Sequence, residues 1–418
     1  MTQVGDATLQ PTDVISQVAK AIDDATEELR FLNLEIFKNP EVAFKEFKAC
    51  KLLSDWFENR GWKVSRGVYG IETAFEARFS VREGGRTVCF NAEYDGLPDI
   101  GHACGHNLIA TSSIASAIGV EAVVKSRNLA GTIIVMGTPA EESGGGKWIM
   151  ARHGAWRGVD MCVMTHGMAN FSTPLCITKA SWKLKARFQG KTAHAAAAPW
   201  TGRNACDAIV QAYSGIALLR QHIQKSESIQ GCILEAGKAS NLIPDYAEGS
   251  FSVRAPTIKQ ANALKARVEP IFRGAADATG CIVDLDWIAL YEDVVSNETL
   301  AEQYRQYMLR HLGMTPKQML PLAEAKIAHD QSGSSDFGSC SYICPGIQAM
   351  FEIKASDLPH SIGFLEASQG DFAHAEALRA GKANALITLD VLTDDNFATG
   401  VKDEFVQAMK EAGRWPQS

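Results

Sequence analysis

In the segment GHACGH, residues 101–106, Cys104 and His106 stand one residue apart between glycines. A thiolate sulfur and an imidazole nitrogen both suit a borderline-soft divalent cation, zinc above all. Alternate side chains of extended backbone point the same way, so both can reach one centre. Taken alone, the pair fits a buried cysteine beside a structural histidine equally well. His102 shares that face, as a supporting or a packing residue. Downstream, Thr138-Pro139-Ala140-Glu141-Glu142 closes an apolar run and leads into Gly144-Gly145-Gly146. Two adjacent carboxylates there can diverge, one to coordinate metal and the other to act as general base on activated water. A solvated acidic turn is the plainer alternative. The glycine triplet is no phosphate loop, because Gly146-Lys147-Trp148 lacks the Gly-Lys-Ser/Thr ending.

Asp95 and His166 end two further apolar runs, in EYDGLP and MTHG. A lone histidine in such a place can be structural. Yet three run ends now carry Asp95, the glutamate pair and His166, and they converge in space if the sheet is parallel. Asp95 would then orient an imidazole ligand. Later in the chain come His194, Asn241 and Arg254. An imidazole, an amide and a guanidinium together bind an oxyanion and a substrate carboxylate. Singly, they read as a turn residue, a capping amide and a surface arginine. His360, in LPHS, offers another imidazole, and GSSDFG at 333–338 a polar turn. His153, His222, His311 and His329 show no partner pattern.

The elements that must position these groups follow from apolar periodicity. The spacing of Val14, Val18, Ile22, Leu29, Leu32 and Ile36 predicts one long amphipathic helix from Asp13, broken near Asn39-Pro40, behind a flexible tail to about Pro11. A second helix is expected from about Phe44 to Asn59 and a third, rich in small residues, over Asn107–Lys125. Short apolar runs at Thr87–Ala92, Gly131–Met136 and Val159–Met164 predict strands. Strands alternating with helices mean an α/β sheet covered on both faces. After Thr178 the pattern changes. Trp182, Leu184, Ala186 and Phe188 alternate with polar residues, as in a strand with one solvated face. The order that follows is helix (204–223), two strands (near 229–235 and 246–253), helix (258–279) and strand (281–290). This is the β-α-β-β-α-β signature of a ferredoxin-like α+β insert. Helices return from about Asn297, closing with Ala373–Val391. The expected division is 1–178 and 296–418 for the main domain and 179–295 for the insert.

With 418 residues, 46% of them hydrophobic, the chain is long enough for two to three domains. A net charge of -7 argues against nucleic acid, whose phosphates need a basic surface. The first residues do not read as a signal peptide. Apolar runs such as Ser112–Val124 fall short of the roughly 18 residues of a membrane span. The expected location is therefore cytoplasmic. Ten dispersed cysteines suit reduced thiols, with Cys89, Cys162 and Cys232 as small buried residues.

Taken together, the blocks resemble the amidohydrolase branch of the aminoacylase–carnosinase class of dinuclear metallopeptidases, metallopeptidase family 20. They run from NPEVAFKEFKACKLLSDWFENRGWKV through EYDGLPDIGHACGHN, GTPAEESGGGK, GKTAHAAAAPWTGRNACDA, ASNLIPDYAEGSFSVR and GSSDFG to PHSIGFLEAS, nearly the whole chain. The resemblance implies a mixed-sheet catalytic domain with helices on both faces, and an inserted lid and dimerisation domain. It implies two divalent metal ions, with zinc foremost and manganese or cobalt as alternatives. The metal ligands fall on Cys104 (as the bridge), His106, Glu142, His166 and His360. Glu141 falls on the general base and Asp95 on a supporting carboxylate; Glu93 falls on a place where other branches carry a histidine ligand, and is expected here to support the ligands rather than to bind metal. His194 matches a residue that reaches a neighbouring site across a homodimer to hold the oxyanion, and Asn241 and Arg254 match substrate-binding positions. Many relatives have aspartate where this chain has Asn107, which with the glycine triplet resembles the β-alanyl-lysine-type dipeptidases. Hydrolysis of a small dipeptide or N-acyl amino acid is the expected reaction. A biosynthetic amidase with one dedicated substrate, or an idle binding protein of the same fold, would share these motifs.

Overall fold

The computed structural model describes residues 10–328 and 333–413, without the side chains of 288–290 and 328. Most of the expected N-terminal tail, and His329, lie outside the described residues. The chain falls into two compact units. The first takes the chain up to Ile177, resumes at Val294 and runs on from Asp336; the second is Thr178–Asp293 with the short segment ending at Ser335.

The first unit is built on a six-stranded mixed sheet. Its order is Lys63–Arg66, Phe75–Phe79, Ala130–Gly137, Arg82–Ala92, Met161–Met168 and Gly346–Glu352. The last four strands are mutually parallel, and the first two run antiparallel at one edge. Both faces are covered, and alternation along the strands shows it. Val88, Phe90, Ile133, Val135 and Val163 join one core, while Cys89, Ile134, Met136, Cys162 and Met164 join another on the opposite face. The helix His106–Arg127 is buried on nearly every side, which explains its lack of polar face. By length and composition it would pass for a membrane span, but 94% of its most apolar window is buried inside the protein.

Four expectations about this unit change, one being that Ala373–Val391 closes the helices: a further helix, Asp395–Glu411, follows it. The long N-terminal helix is two, Thr12–Asp24 and Thr26–Lys38, joined at Ala25. Asp23, Asp24 and Thr26 are weak helix formers, and the break lets both halves pack on His106–Arg127. The next helix begins at Phe47, not Phe44, because Phe44 adopts a left-handed φ of 63°. Gly346–Glu352 is a strand where only helices were expected. A short, fully buried apolar run carries no period that separates strand from helix.

The second unit is a four-stranded antiparallel sheet in the order Ile282–Tyr291, Ala180–Gln189, Tyr246–Ala255, Ser228–Glu235. The helices Ala205–Leu219 and Ile258–Thr279 cover one face, over a core that includes Leu184, Phe188, Phe251 and Phe272. This is the expected α+β arrangement. Cys232 corrects the reading of it as a buried thiol: it lies on the edge strand, pairs with Ser250 on the uncovered face, and is exposed. All ten cysteines are free.

Candidate metal centre

Three loops at the carboxyl ends of the parallel strands, with the end of a fourth strand, bring the sequence-predicted residues of the first unit together. Arg82–Ala92 leads to Glu93 and Asp95, and Ala130–Gly137 leads to Glu141 and Glu142. Met161–Met168 carries His166, and His360 follows Gly346–Glu352. Cys104 and His106 arrive at the start of the long buried helix, through Gly105 at φ 77°. The turn before Glu141 is also left-handed, at Ala140 with φ 62°. It is held there by Glu46, whose carboxylate accepts from the Ala140 and Phe44 amides and from the Thr73 hydroxyl. The glycine triplet has a steric cause: a Cβ at Gly146 would come within 1.8 Å of the Pro139 carbonyl oxygen.

Three overlapping sets of donor atoms lie within 4.8 Å of one another: Cys104, His106 and His166; Cys104, Glu142 and His360; His106, Glu141 and Glu142. The hydrogen bonds around them fix which nitrogens face inward. Asp95 can only accept, so His106 donates to it from Nδ1 at 3.1 Å and turns the bare Nε2 into the cluster. His166 donates from Nδ1 to the Gly167 carbonyl at 2.6 Å and turns its Nε2 to the Cys104 sulfur at 3.5 Å. Asp95 also accepts from the Glu142 amide at 3.0 Å, so one buried carboxylate braces two elements. His360 Nε2 stands 3.3 Å from Glu142 Oε2, on a backbone with φ 71°.

Electrostatically, the cluster asks for a cation. The bare Nε2 of His106 faces carboxylate oxygens of Glu93, Glu142 and Glu141 at 3.4, 3.7 and 4.0 Å. Among the described residues neither that nitrogen nor Glu142 Oε1 has a hydrogen-bond partner, although both are buried. A lone pair surrounded by carboxylates is repulsive unless a proton or a metal intervenes. The pull on protons is strong. Burial opposes a charge on His106, but Asp95 and then Cys104 and Glu93 hold its pKa well above the ordinary value. Burial and the charges of Glu93 and Glu142 push Glu141 well above the carboxylate range. Burial and Glu142 do the same to the Cys104 thiol, which a divalent ion would reverse. The sulfur, imidazole and carboxylate donors, with the orphaned buried atoms, therefore fit a divalent metal pair.

The sequence had not singled out two features beside the cluster. One is Glu46, whose buried carboxyl is pushed up to about 7, chiefly by desolvation. The other is Lys147, fully buried, with Nζ 2.5 Å from Glu93 and 2.7 Å from Asp336. The Lys147 signal was its place after the glycine triplet; nothing local announced its burial. His102 is buried, and burial with the neighbouring charge of His106 lowers its pKa to about 4.

The remaining site candidates lie in the second unit. Ala193–His194 pairs with Leu242–Ile243, and the Ala195 amide donates to the Asn241 carbonyl at 3.0 Å, so His194 and Asn241 share one two-stranded ribbon. The His194 Nδ1 accepts from the Ala196 and Ala197 amides at 3.3 and 3.2 Å, leaving Nε2 as the outward donor on an exposed ring. Arg254 lies on Tyr246–Ala255, half-buried, and burial lowers its pKa.

Residues 178–279, within the second unit, match the model of a peptidase dimerisation domain. Among curated proteins, the mouse Xaa-Arg dipeptidase is 37% identical over 94% of this chain and 93% of its own length, and the human protein of that name 34% over 94% and 92%. The chain belongs to the M20 family of metallopeptidases. One component of the Escherichia coli p-aminobenzoyl-glutamate hydrolase, 32% identical, covers 75% of the chain and 69% of its own length. Solved structures share the fold. A Klebsiella pneumoniae aminobenzoyl-glutamate utilization protein superposes with TM-score 0.72 at 17% identity, covering 90% of this chain and 99% of its own. A dinuclear metal-binding M20 peptidase of Bacillus subtilis gives 0.61 at 21%, covering 88% and 99%. As a member of the family, the chain is a metal-dependent hydrolase of amide bonds.

Proposed function

We propose that the chain is a zinc-dependent dipeptidase, in which Cys104, His106, Glu142, His166 and His360 would hold two ions. The observation that carries this reading is the bare, buried His106 Nε2 facing three carboxylates beside Cys104. Sulfur and imidazole donors favour zinc over manganese or cobalt. Bound here, the metal pair lowers the pKa of a water from about 15.7 towards 7. Glu141 takes the proton of the attacking water and returns it to the leaving amine. Asp95 keeps His106 in the tautomer that faces the cluster. His194, with Nε2–H outward, is suited to hold an oxyanion, and Asn241 and Arg254 to grip a substrate carboxylate. These roles favour dipeptides or N-acyl amino acids over long polypeptides.

Dipeptides ending in a basic residue are the first choice, because two relatives that match over 94% of the chain are named for Xaa-Arg cleavage. The match to a dimerisation domain supports a homodimer through the second unit, with His194 serving the partner's site. Ten free cysteines suit a cytoplasmic setting. The test is a panel of dipeptides and N-acyl amino acids, assayed on zinc-loaded protein with and without chelator. Chelator-sensitive cleavage, strongest for a C-terminal arginine or lysine, is expected. No chelator-sensitive cleavage of any member would favour a dedicated biosynthetic amidase or an idle binding protein.

A further inference from the structure

A lysine with no solvent exposure is rare, because desolvating an ammonium costs several kcal/mol unless partners repay it. Lys147 has two such partners. Its Nζ contacts Glu93 at 2.5 Å and Asp336 at 2.7 Å, and its own backbone amide donates to the other Asp336 oxygen at 2.8 Å. Asp336 thus grips Lys147 at both ends, while Lys147 grips only one oxygen of Glu93. The other, Glu93 Oε2, stands 3.4 Å from His106 Nε2, closer than either Glu142 or Glu141.

That spacing is informative. Donors bound to one ion at about 2.0–2.1 Å in a tetrahedron lie roughly 3.3 Å apart. Glu93 Oε2 and His106 Nε2 already stand at such an edge, and the nitrogen is the bare one. A buried ion pair kept for stability alone gains little over apolar packing, whereas this one aims a carboxylate. We propose that Glu93 is a carboxylate donor to the cation on His106, and that Lys147, anchored by Asp336, is the residue that positions it. The pair adds a ligand beyond the five that the motif blocks supply. It also accounts for the lysine after the glycine triplet: the sharp Gly145–Gly146 turn delivers Lys147 beneath Glu93.

The inference rests on His106 as a metal ligand, and the test keeps the two apart. Full-length protein is loaded with cobalt(II), whose visible bands report ligand number and type. Cobalt is then withdrawn by a competing chelator. Glu93→Gln is expected to change the bands and weaken one of the two ions roughly ten- to a hundredfold. Glu93→Asp keeps the charge but withdraws the carboxylate by one methylene, and the same spectral change should follow. Lys147→Met should reproduce the Glu93→Gln spectrum. Should Lys147→Met not fold, the Glu93→Gln/Lys147→Met pair replaces it and should lose no more affinity than Glu93→Gln alone. A wild-type spectrum and affinity in Glu93→Gln overturns the donor role. A wild-type spectrum in folded Lys147→Met, or a further loss in the pair, overturns the positioning role. Protein that binds no cobalt at all would instead sink the metal-centre reading itself.

Discussion

Two clusters of buried charge lie side by side in the first unit, and they are balanced in different ways. Around Lys147 the protein supplies its own counter-charge: the ammonium meets Glu93 and Asp336 within 2.7 Å, and Asp336 also satisfies a backbone amide. Burial opposes the charge on Lys147, but Asp336 and Glu93 hold its pKa well above the ordinary value. Around His106, carboxylates of Glu93, Glu142 and Glu141 crowd an imidazole nitrogen. His106 Nε2 and Glu142 Oε1 are left without hydrogen bonds where such omissions cost about 1–3 kcal/mol each. A fold able to close one cluster with a lysine leaves its neighbour open. On the function proposed above, the open cluster takes its cation from outside, which would offset that cost, and the closed one is part of its frame.

Four experiments would break or sharpen that contrast, the first having the largest effect. Glu141→Gln should lower turnover by roughly a hundred- to ten-thousandfold, the range for a lost general base, while metal content by elemental analysis stays at the wild-type level. Retained turnover in a metal-loaded variant would assign the base elsewhere. Asp336→Asn strips the closed cluster of a partner. Urea unfolding should show a loss of about 3–5 kcal/mol, as expected when one member of a buried pair is removed. A loss below about 1 kcal/mol, the range of exposed pairs, would mean that the lysine finds another counter-charge.

The third concerns Glu46, which braces the open cluster from behind. Its carboxyl is raised from 4.5 to about 7 by burial. A folded pKa above the unfolded one adds stability that is fully present below the unfolded pKa and is lost as pH rises through the folded one. The shift is worth about 3 kcal/mol as an upper bound. Glu46→Gln stays neutral, so its urea midpoint relative to wild type should rise between pH 5 and pH 8. An unchanged difference across that window would show that Glu46 is ionised throughout. The smallest effect is metal removal. Chelation should lower the melting temperature by the equivalent of about 2.7 kcal/mol for metal held at a hundredfold excess over its Kd. At the same metal concentration, Asp336→Asn protein, whose lysine has lost the anchor that positions Glu93, should show a smaller drop from its own lower start.

The open cluster was far more legible than the closed one. Cys104, His106, the glutamate pair and His166 stand out because each couples a reactive residue type to glycine, proline or a strand end. The structure brings them, with Asp95 and His360, into contact. Lys147, Asp336 and Glu46 are ordinary charged residues in polar segments, and their meaning comes from burial. Lys147 and Asp336 are 189 positions apart, and Ala140 and Glu46 are 94 apart; no local pattern joins them. The same limit hid the strand Gly346–Glu352, whose apolar run has no period to read, and exposed Cys232, whose face depends on which side the helices cover.

Sequence alone therefore determined the donor types, the two-part α/β and α+β organisation and the order of elements within the insert. Those rest on residue type and on periods of 2 and 3.6, which are local properties. Tertiary structure alone decided which nitrogen of each histidine is bare, which carboxylate stands nearest to it and which charges the protein balances for itself. These depend on desolvation and on distances of a few ångströms between segments far apart in the chain, and neither is written in any single stretch of it.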